Sequence, residues 1–147
     1  MAQIVQRNWQ AVGVKVNLVQ TEGAVFDQKV FKEYDYDVTV LNYSTGGDPA
    51  LGISRIYASE SINPAAIYNN VSQYSSPEVD ALWAKGRDAA TPAGRAEAYF
   101  KVQELIARDL PTLTIHEQAQ INAARVEVKD LFLAAHYPWW GAIWMTK

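Results

Sequence analysis

The segment YDVTVLNYSTGGDP, residues 36–49, is the part of the sequence that best predicts the fold. It opens with a β-branched, alternating run that is typical of a strand, and a polar, glycine-containing loop follows at once. A second alternating run covers residues 14–19, and residues 23–33 between the two runs are typical of a short helix. Strand, helix and strand joined by short connections predict a parallel βαβ unit with a right-handed crossover.

Helices are predicted on both sides of this unit. Residues 2–12 carry apolar side chains at helical spacing, and Gly13 follows as the residue that ends the helix. Ser76 and Thr91 are each followed by proline, which predicts two helix starts with a polar N-cap. Further short strands are predicted at residues 113–115 and 121–128. The predicted fold class is therefore α/β, with a mixed sheet that contains the βαβ unit and is flanked by helices.

Length and composition indicate one folded domain over residues 1–147. The chain is 49% hydrophobic and 20% charged, with a net charge of −3, so it can bury a core. Its Lys and Arg residues are scattered, which argues against nucleic acid as a partner. The chain has no cysteine, which excludes disulfides and thiolate nucleophiles. The first residues lack the pattern of a signal peptide, and the sequence from residue 2 is interpreted as starting partway along a helix.

Groups arranged for catalysis or metal binding are hard to find. The two histidines, His116 and His136, have no paired nucleophile nearby in sequence, and a structural role is favoured for His116. Asp35 and Asp37 lack a third metal ligand nearby and are interpreted as solvated charges. Gly46 and its neighbour Gly47 match neither a P-loop nor a dinucleotide turn. We therefore predict a protein that is not an enzyme and needs no metal or cofactor.

A binding surface is the better prediction. Ligands of open α/β sheets lie beyond the carboxyl ends of parallel strands, where the 36–41 strand delivers Tyr43, Ser44, Thr45 and Gly46. An aromatic face, two hydroxyls and unhindered backbone N–H groups can hold a polar solute without reacting with it. Asn69, in the polar stretch that follows, is a further candidate ligand-binding residue.

The alternative for the same loop is a tight turn that leads into a helix. Asp48 would cap that helix, with Pro49 at its first position. For Asp48 this structural interpretation is favoured, whereas ligand contact is favoured for residues 43–45.

Several motifs occur in one order along nearly the whole chain. They are residues 2–6 and 9–16, the Tyr-Asp pair 36–37, the Asp-Pro pair 48–49, residues 74–82, Arg95 with Tyr99 and Gln103, and the Leu-Pro pair 110–111. Their order and spacing resemble the peptide/nickel-type extracellular solute-binding proteins of bacterial family 5. Each motif is weak alone, and their shared order makes the match specific.

The resemblance implies a periplasmic-binding-protein-like lobe, the C-terminal one of a two-lobe periplasmic or extracellular receptor that serves the permease of an ABC importer. The N-terminal lobe and a signal peptide are expected to be absent, so the isolated lobe is expected to bind a peptide or small polar solute weakly and to self-associate. Peptide-binding relatives carry an acid in the loop after the Tyr-Asp strand and usually Trp at the position of Tyr43. In this chain Tyr43 takes the place of Trp, and the loop's only acid is Asp48, which matches the family's downstream Asp-Pro pair, so sugars, opines and other small polar solutes stay open.

Two other classes stay open from the sequence. One is a structural lobe fragment that binds nothing or only associates with itself. The other is an unrelated α/β enzyme, which the residue inventory supports poorly. A solute screen separates the first from a receptor, and loss of turnover on replacing His116 or Asp48 would identify the second.

Overall fold

The computed structural model describes residues 1–44, 46–117, 121, 123–131 and 140–146. The chain divides into two compact units, each built from two stretches of sequence. Unit 1 comprises Met1–Tyr43 and Arg55–Ser75, and unit 2 comprises Ser44–Ser54 and Ser76–Lys147. The single domain expected over residues 1–147 stays a prediction. No helix in the described ranges has the length and apolar character needed to cross a membrane.

Unit 1 begins with helix α1, Ala2–Ala11. Gly13 adopts a left-handed backbone with φ +87°. Its N–H donates to the Gln10 carbonyl at 3.1 Å, and the Val14 N–H donates to the Trp9 carbonyl at 2.9 Å. These two bonds form a Schellman motif, which suits glycine because it has no Cβ. The predicted helix end at Gly13 is confirmed.

The rest of unit 1 is short helices and extended chain. Helix α2, Gly23–Asp27, continues into a π-helical turn, Gln28–Glu33. Helix α3, Ser54–Tyr57, starts at the boundary with unit 2 and is followed by a 3₁₀ turn, Ser59–Ser61. The core of unit 1 is formed by the buried side chains of Val30, Phe31 and Val71, and partly buried apolar and aromatic side chains pack against it: Phe26, Tyr36 and Leu41.

One buried amide organises the loop that closes unit 1. Asn70 is fully buried, and its Nδ2 donates to the carbonyls of Ala58 at 3.1 Å and Tyr74 at 2.8 Å. Its Oδ1 accepts from Ser72 Oγ at 2.9 Å and from the Tyr74 N–H at 3.2 Å. The side chain therefore joins three points of a loop without regular structure, and all its hydrogen-bonding capacity is used.

The parallel βαβ unit is not formed in the described part of the chain. Residues 14–22 and 34–44 form no helix and pair with no strand, and several apolar side chains of their strand pattern are exposed, for example Val14 at 47% and Val38 at 59%. The physical reason is that a strand exists only when a neighbour takes up its backbone hydrogen bonds. An alternating sequence shows that a segment prefers to join a sheet, but it does not determine which other segment lies beside it.

The later predicted strands are also mostly unpaired. Residues 113–115 form no strand, and of the described residues in the run 121–128, which are 121 and 123–128, only Val128 pairs. The sheet that the described residues form has two short antiparallel strands, β1 (Val128–Lys129) and β2 (Trp144–Met145).

Unit 2 is built on two helices, α4 (Pro77–Asp88) and α5 (Pro92–Asp109). The side chain of Ser76 accepts from the Val79 N–H at 3.4 Å, and that of Thr91 accepts from the Gly94 N–H at 3.1 Å. Both predicted N-caps are thereby confirmed. Helix α5 ends at Leu110, which has a left-handed backbone and precedes proline.

The core of unit 2 lies between α4 and α5. Its buried side chains come from both helices: Val79, Trp83, Ala98, Tyr99, Val102 and Leu105. The rings of Trp83 and Tyr99 have centroids 5.6 Å apart. Gly86 is the point of closest approach, because a Cβ there would lie 2.7 Å from Cζ of Tyr99. The two helices pack closely because this position has no side chain.

Candidate ligand-binding site

Two of the residues predicted to bind ligand are in contact in unit 1. The Tyr43 hydroxyl donates to the backbone carbonyl of Asn69 at 2.9 Å. Tyr43 is about half buried, and this burial is the main reason why its pKa is raised to about 12. The phenol is therefore neutral at physiological pH and acts as a hydrogen-bonding group without charge.

Asn69 is 5% exposed, and its Nδ2 donates to the carbonyl of Asn63. Its Oδ1 is buried and has no hydrogen-bond partner in the described structure. A buried acceptor left unpaired costs about 1–3 kcal/mol. Buried groups left unpaired call for a structural or functional explanation, and the hydroxyls of Tyr34 and Tyr99 and Nε1 of Trp83 are also buried without a partner in the described structure.

Tyr68 completes this cluster, and the sequence interpretation missed it. Its ring centroid lies 5.3 Å from that of the buried Phe31 and 6.4 Å from that of Tyr43, with the two tyrosine rings edge to face. Its residue surface remains 45% exposed. The available signal was its position directly before the Asn69-Asn70 pair in a polar stretch, but nothing local indicated that it meets Tyr43.

The other predicted ligand residues fall outside this cluster. Ser44 and Gly46 belong to unit 2, where Ser44 is exposed and Gly46 has a left-handed backbone with φ +68°. Thr45 lies outside the described residues. The structure therefore brings together Tyr43 and Asn69, and the roles of Ser44, Thr45 and Gly46 stay predictions.

Asp48 has a structural role in unit 2. Its Oδ1 accepts from the Ala50 N–H at 2.8 Å, and its Oδ2 accepts from Arg95 at 2.6 Å. It therefore caps a turn, as the structural interpretation proposed, although the helix that follows begins only at Ser54. Arg95 also lies over the Tyr99 ring, 5.4 Å from its centroid. The sequence did not identify this partner, which is 47 residues away.

Other candidate groups are solvated or lie outside the described chain. Asp35 forms an exposed ion pair with Lys29 at 2.7 Å, and Asp37 is exposed, as expected of solvated charges. His116 is exposed, and His136 lies outside the described residues. Within the described residues, no three His, Cys, Asp or Glu side chains lie together as a metal site.

Comparisons with known proteins show that the chain is similar to binding proteins of transporters. It is 28% identical over 134 residues to the peptide transport periplasmic protein SapA of Salmonella typhimurium. It is 27% identical over 135 residues to the probable ABC transporter periplasmic-binding protein SapA of Escherichia coli. It is 24% identical over 131 residues to di/tripeptide-binding protein 3 of Pseudomonas aeruginosa.

The matches cover 90%, 90% and 88% of this chain and 24% of each relative, so the chain spans about a quarter of their length. No protein-family model and no solved structure matches the chain.

The resemblance found in the sequence is confirmed: the chain is a homologue of the periplasmic solute-binding proteins of ABC transporters. These relatives are substrate-binding transport proteins, not enzymes.

Proposed function

We propose that this chain is part of a periplasmic solute-binding protein that delivers a peptide or another small polar solute to the permease of an ABC importer. We also propose, from the sequence, that Tyr43, Ser44, Thr45, Gly46 and Asn69 contact the solute. The observation that carries the proposal is the unpaired, buried Oδ1 of Asn69 beside the Tyr43 contact. Homology to peptide-binding transport proteins supports the same function.

The polar groups of this cluster favour neutral parts of a solute over a cationic one. Asn69 offers an uncharged acceptor, and Tyr43 offers a neutral phenol. The loop's acid, Asp48, is already paired with Arg95, so it is not free to neutralise an ammonium group. An amide N–H or a hydroxyl of the solute is therefore the group expected to bind Asn69.

The test is calorimetry on the protein as its gene encodes it, with a panel of di- and tripeptides, opines and sugars. Replacing Asn69 with Leu removes the acceptor at similar volume and is expected to weaken binding of the best solute about 5- to 100-fold, the equivalent of a lost buried hydrogen bond. Gln103→Leu, a change of comparable chemistry on an exposed face of α5, is the control and is expected to leave affinity unchanged. Equal affinity of Asn69→Leu and wild type would exclude Asn69 from the site.

A second candidate is a lobe that binds no solute and associates with itself. It is favoured by the exposed apolar side chains of the extended segments, such as Val38 at 59% and Leu113 at 77%, because unpaired strands with apolar faces add to other strands. We also propose that, in a longer protein, these segments pair to form a sheet that contains the parallel βαβ unit. Residues 1–147 then act as one domain.

Sedimentation of the isolated 147-residue chain tests the self-association. The expected result is a concentration-dependent shift from monomer to larger species, together with weak or undetectable solute binding. A monomer at all concentrations that binds solute tightly would contradict both expectations.

A further inference from the structure

The aromatic side chain of Tyr68 is held in an unusual place. Its backbone is left-handed, with φ +56°, a conformation that is uncommon for residues other than glycine and that is destabilising for a bulky side chain. Residues held in this way persist only where their surroundings determine the backbone, and they cluster at functional sites. Contacts with neighbouring residues must therefore hold the backbone of Tyr68 in this conformation.

The residues after Tyr68 fix its backbone. Asn69 is tied through its side chain to the Asn63 carbonyl, and the Asn69 carbonyl accepts both the Tyr43 hydroxyl and the Val71 N–H. Asn70 is held by the four hydrogen bonds of its side chain. The ring of Tyr68 is therefore preorganised, so a partner that stacks on it loses little free energy in ordering the side chain.

The ring is both supported and accessible. The buried Phe31 and the half-buried Tyr43 contact it, while 45% of the residue surface faces solvent. The next residue carries the unpaired acceptor Asn69 Oδ1. That acceptor is buried, so the exposed aromatic surface of Tyr68 is the part that a solute can reach, and such a surface matches a solute with a planar group.

We propose that Tyr68 is a specificity-determining residue, which selects solutes with an aromatic or other planar group. This inference rests on the proposed function, because it assigns a selectivity to the site of Tyr43 and Asn69. The competing explanation is that Tyr68 only covers Phe31, in which case replacing it changes stability but not the choice of solute.

The experiment compares two dipeptide probes, Ala-Trp and Ala-Leu, each also in N-acetylated form, by calorimetry on the protein as its gene encodes it. Wild type is expected to favour the Trp probe about three- to tenfold, the range of an aromatic pair beyond its buried area. Tyr68→Asn removes the ring with a residue that tolerates left-handed backbone, and it is expected to abolish the preference. Tyr68→Phe keeps the ring and is expected to retain the preference for the Trp probe.

Phe100, on α5, is 63% exposed, and Phe100→Ala serves as the control that removes an exposed aromatic elsewhere. Thermal melts of all variants show whether Tyr68→Asn is folded, and Tyr68→Gly, which also removes the ring and tolerates the left-handed backbone, replaces it if it is not. Equal affinities for the Trp and Leu probes in wild type, or an unchanged preference in Tyr68→Asn, overturn the proposal.

Failure of this inference and failure of the proposed function are distinguishable. If wild type binds neither probe, the selectivity is overturned, because Ala-Trp contains the planar group that Tyr68 requires. The wider solute panel then decides the proposed function separately.

Discussion

Unit 1 and unit 2 are stabilised in different ways. In unit 2, helices α4 and α5 begin at capped residues, and their apolar faces bury each other. In unit 1, a small apolar core around Phe31 is completed by a loop that one amide, Asn70, holds in shape. The comparison shows that local patterns suffice where neighbours in sequence pack together, whereas the loop of unit 1 depends on polar contacts between distant residues.

The strongest test of this comparison is to remove the amide of unit 1. Asn70→Ala leaves the Ala58 and Tyr74 carbonyls and the Tyr74 N–H without their partner, and the loss of several buried hydrogen bonds is expected to cost about 3–5 kcal/mol of unfolding free energy. Chemical denaturation followed by circular dichroism measures it. Asn8→Ala, an exposed amide on α1, is the matched control, and an equal effect of the two changes would refute the organising role of Asn70.

The matching test of unit 2 fills its point of closest helix contact. In Gly86→Ala the new Cβ would lie 2.7 Å from Cζ of Tyr99, and overpacking of this kind is expected to cost about 1–3 kcal/mol, although alanine favours the helix. Thermal unfolding measures the cost. Tyr99→Leu combined with Gly86→Ala is expected to recover stability relative to the sum of the single changes. Additive effects would show that the Tyr99 ring is not the obstacle.

A smaller effect is expected at the contact between Tyr43 and Asn69. Tyr43→Phe removes one hydrogen bond and is expected to cost about 1 kcal/mol at neutral pH. Burial raises the pKa of Tyr43 from 10.0 to about 12, so the neutral phenol is favoured in the folded state. This stabilisation is fully present below pH 10.0 and is lost as the pH rises towards about 12.

Denaturation at a series of alkaline pH values checks the direction of this pH dependence. Wild type is expected to lose stability more steeply than Tyr43→Phe across that interval. Burial also raises the pKa of Tyr36, so Tyr36→Phe separates the two tyrosines. Parallel curves for wild type and Tyr43→Phe would show that Tyr43 ionises equally in the folded and unfolded chain.

The candidate site shows how far sequence reasoning reached. It selected Tyr43 and Asn69, because a polar loop after a strand pattern and a polar stretch that follows are both recognisable along the chain. It missed Tyr68, whose significance lies in its contacts with Phe31 and Tyr43 rather than in its neighbours. It also could not find the partner of Asp48, because an ion pair with Arg95 depends on how the chain folds back.

The sequence by itself determined the helix starts at Ser76 and Thr91, the helix end at Gly13 and the kinship with transporter binding proteins. Caps and left-handed glycines use hydrogen bonds within a few residues, so the local sequence is enough to specify them. Only the tertiary structure decided which segments pair, which amide holds the loop of unit 1 and which buried acceptor has no hydrogen-bond partner. Those outcomes depend on backbone and side-chain groups that are distant in sequence, whose hydrogen bonds form or fail only when the chain brings them together.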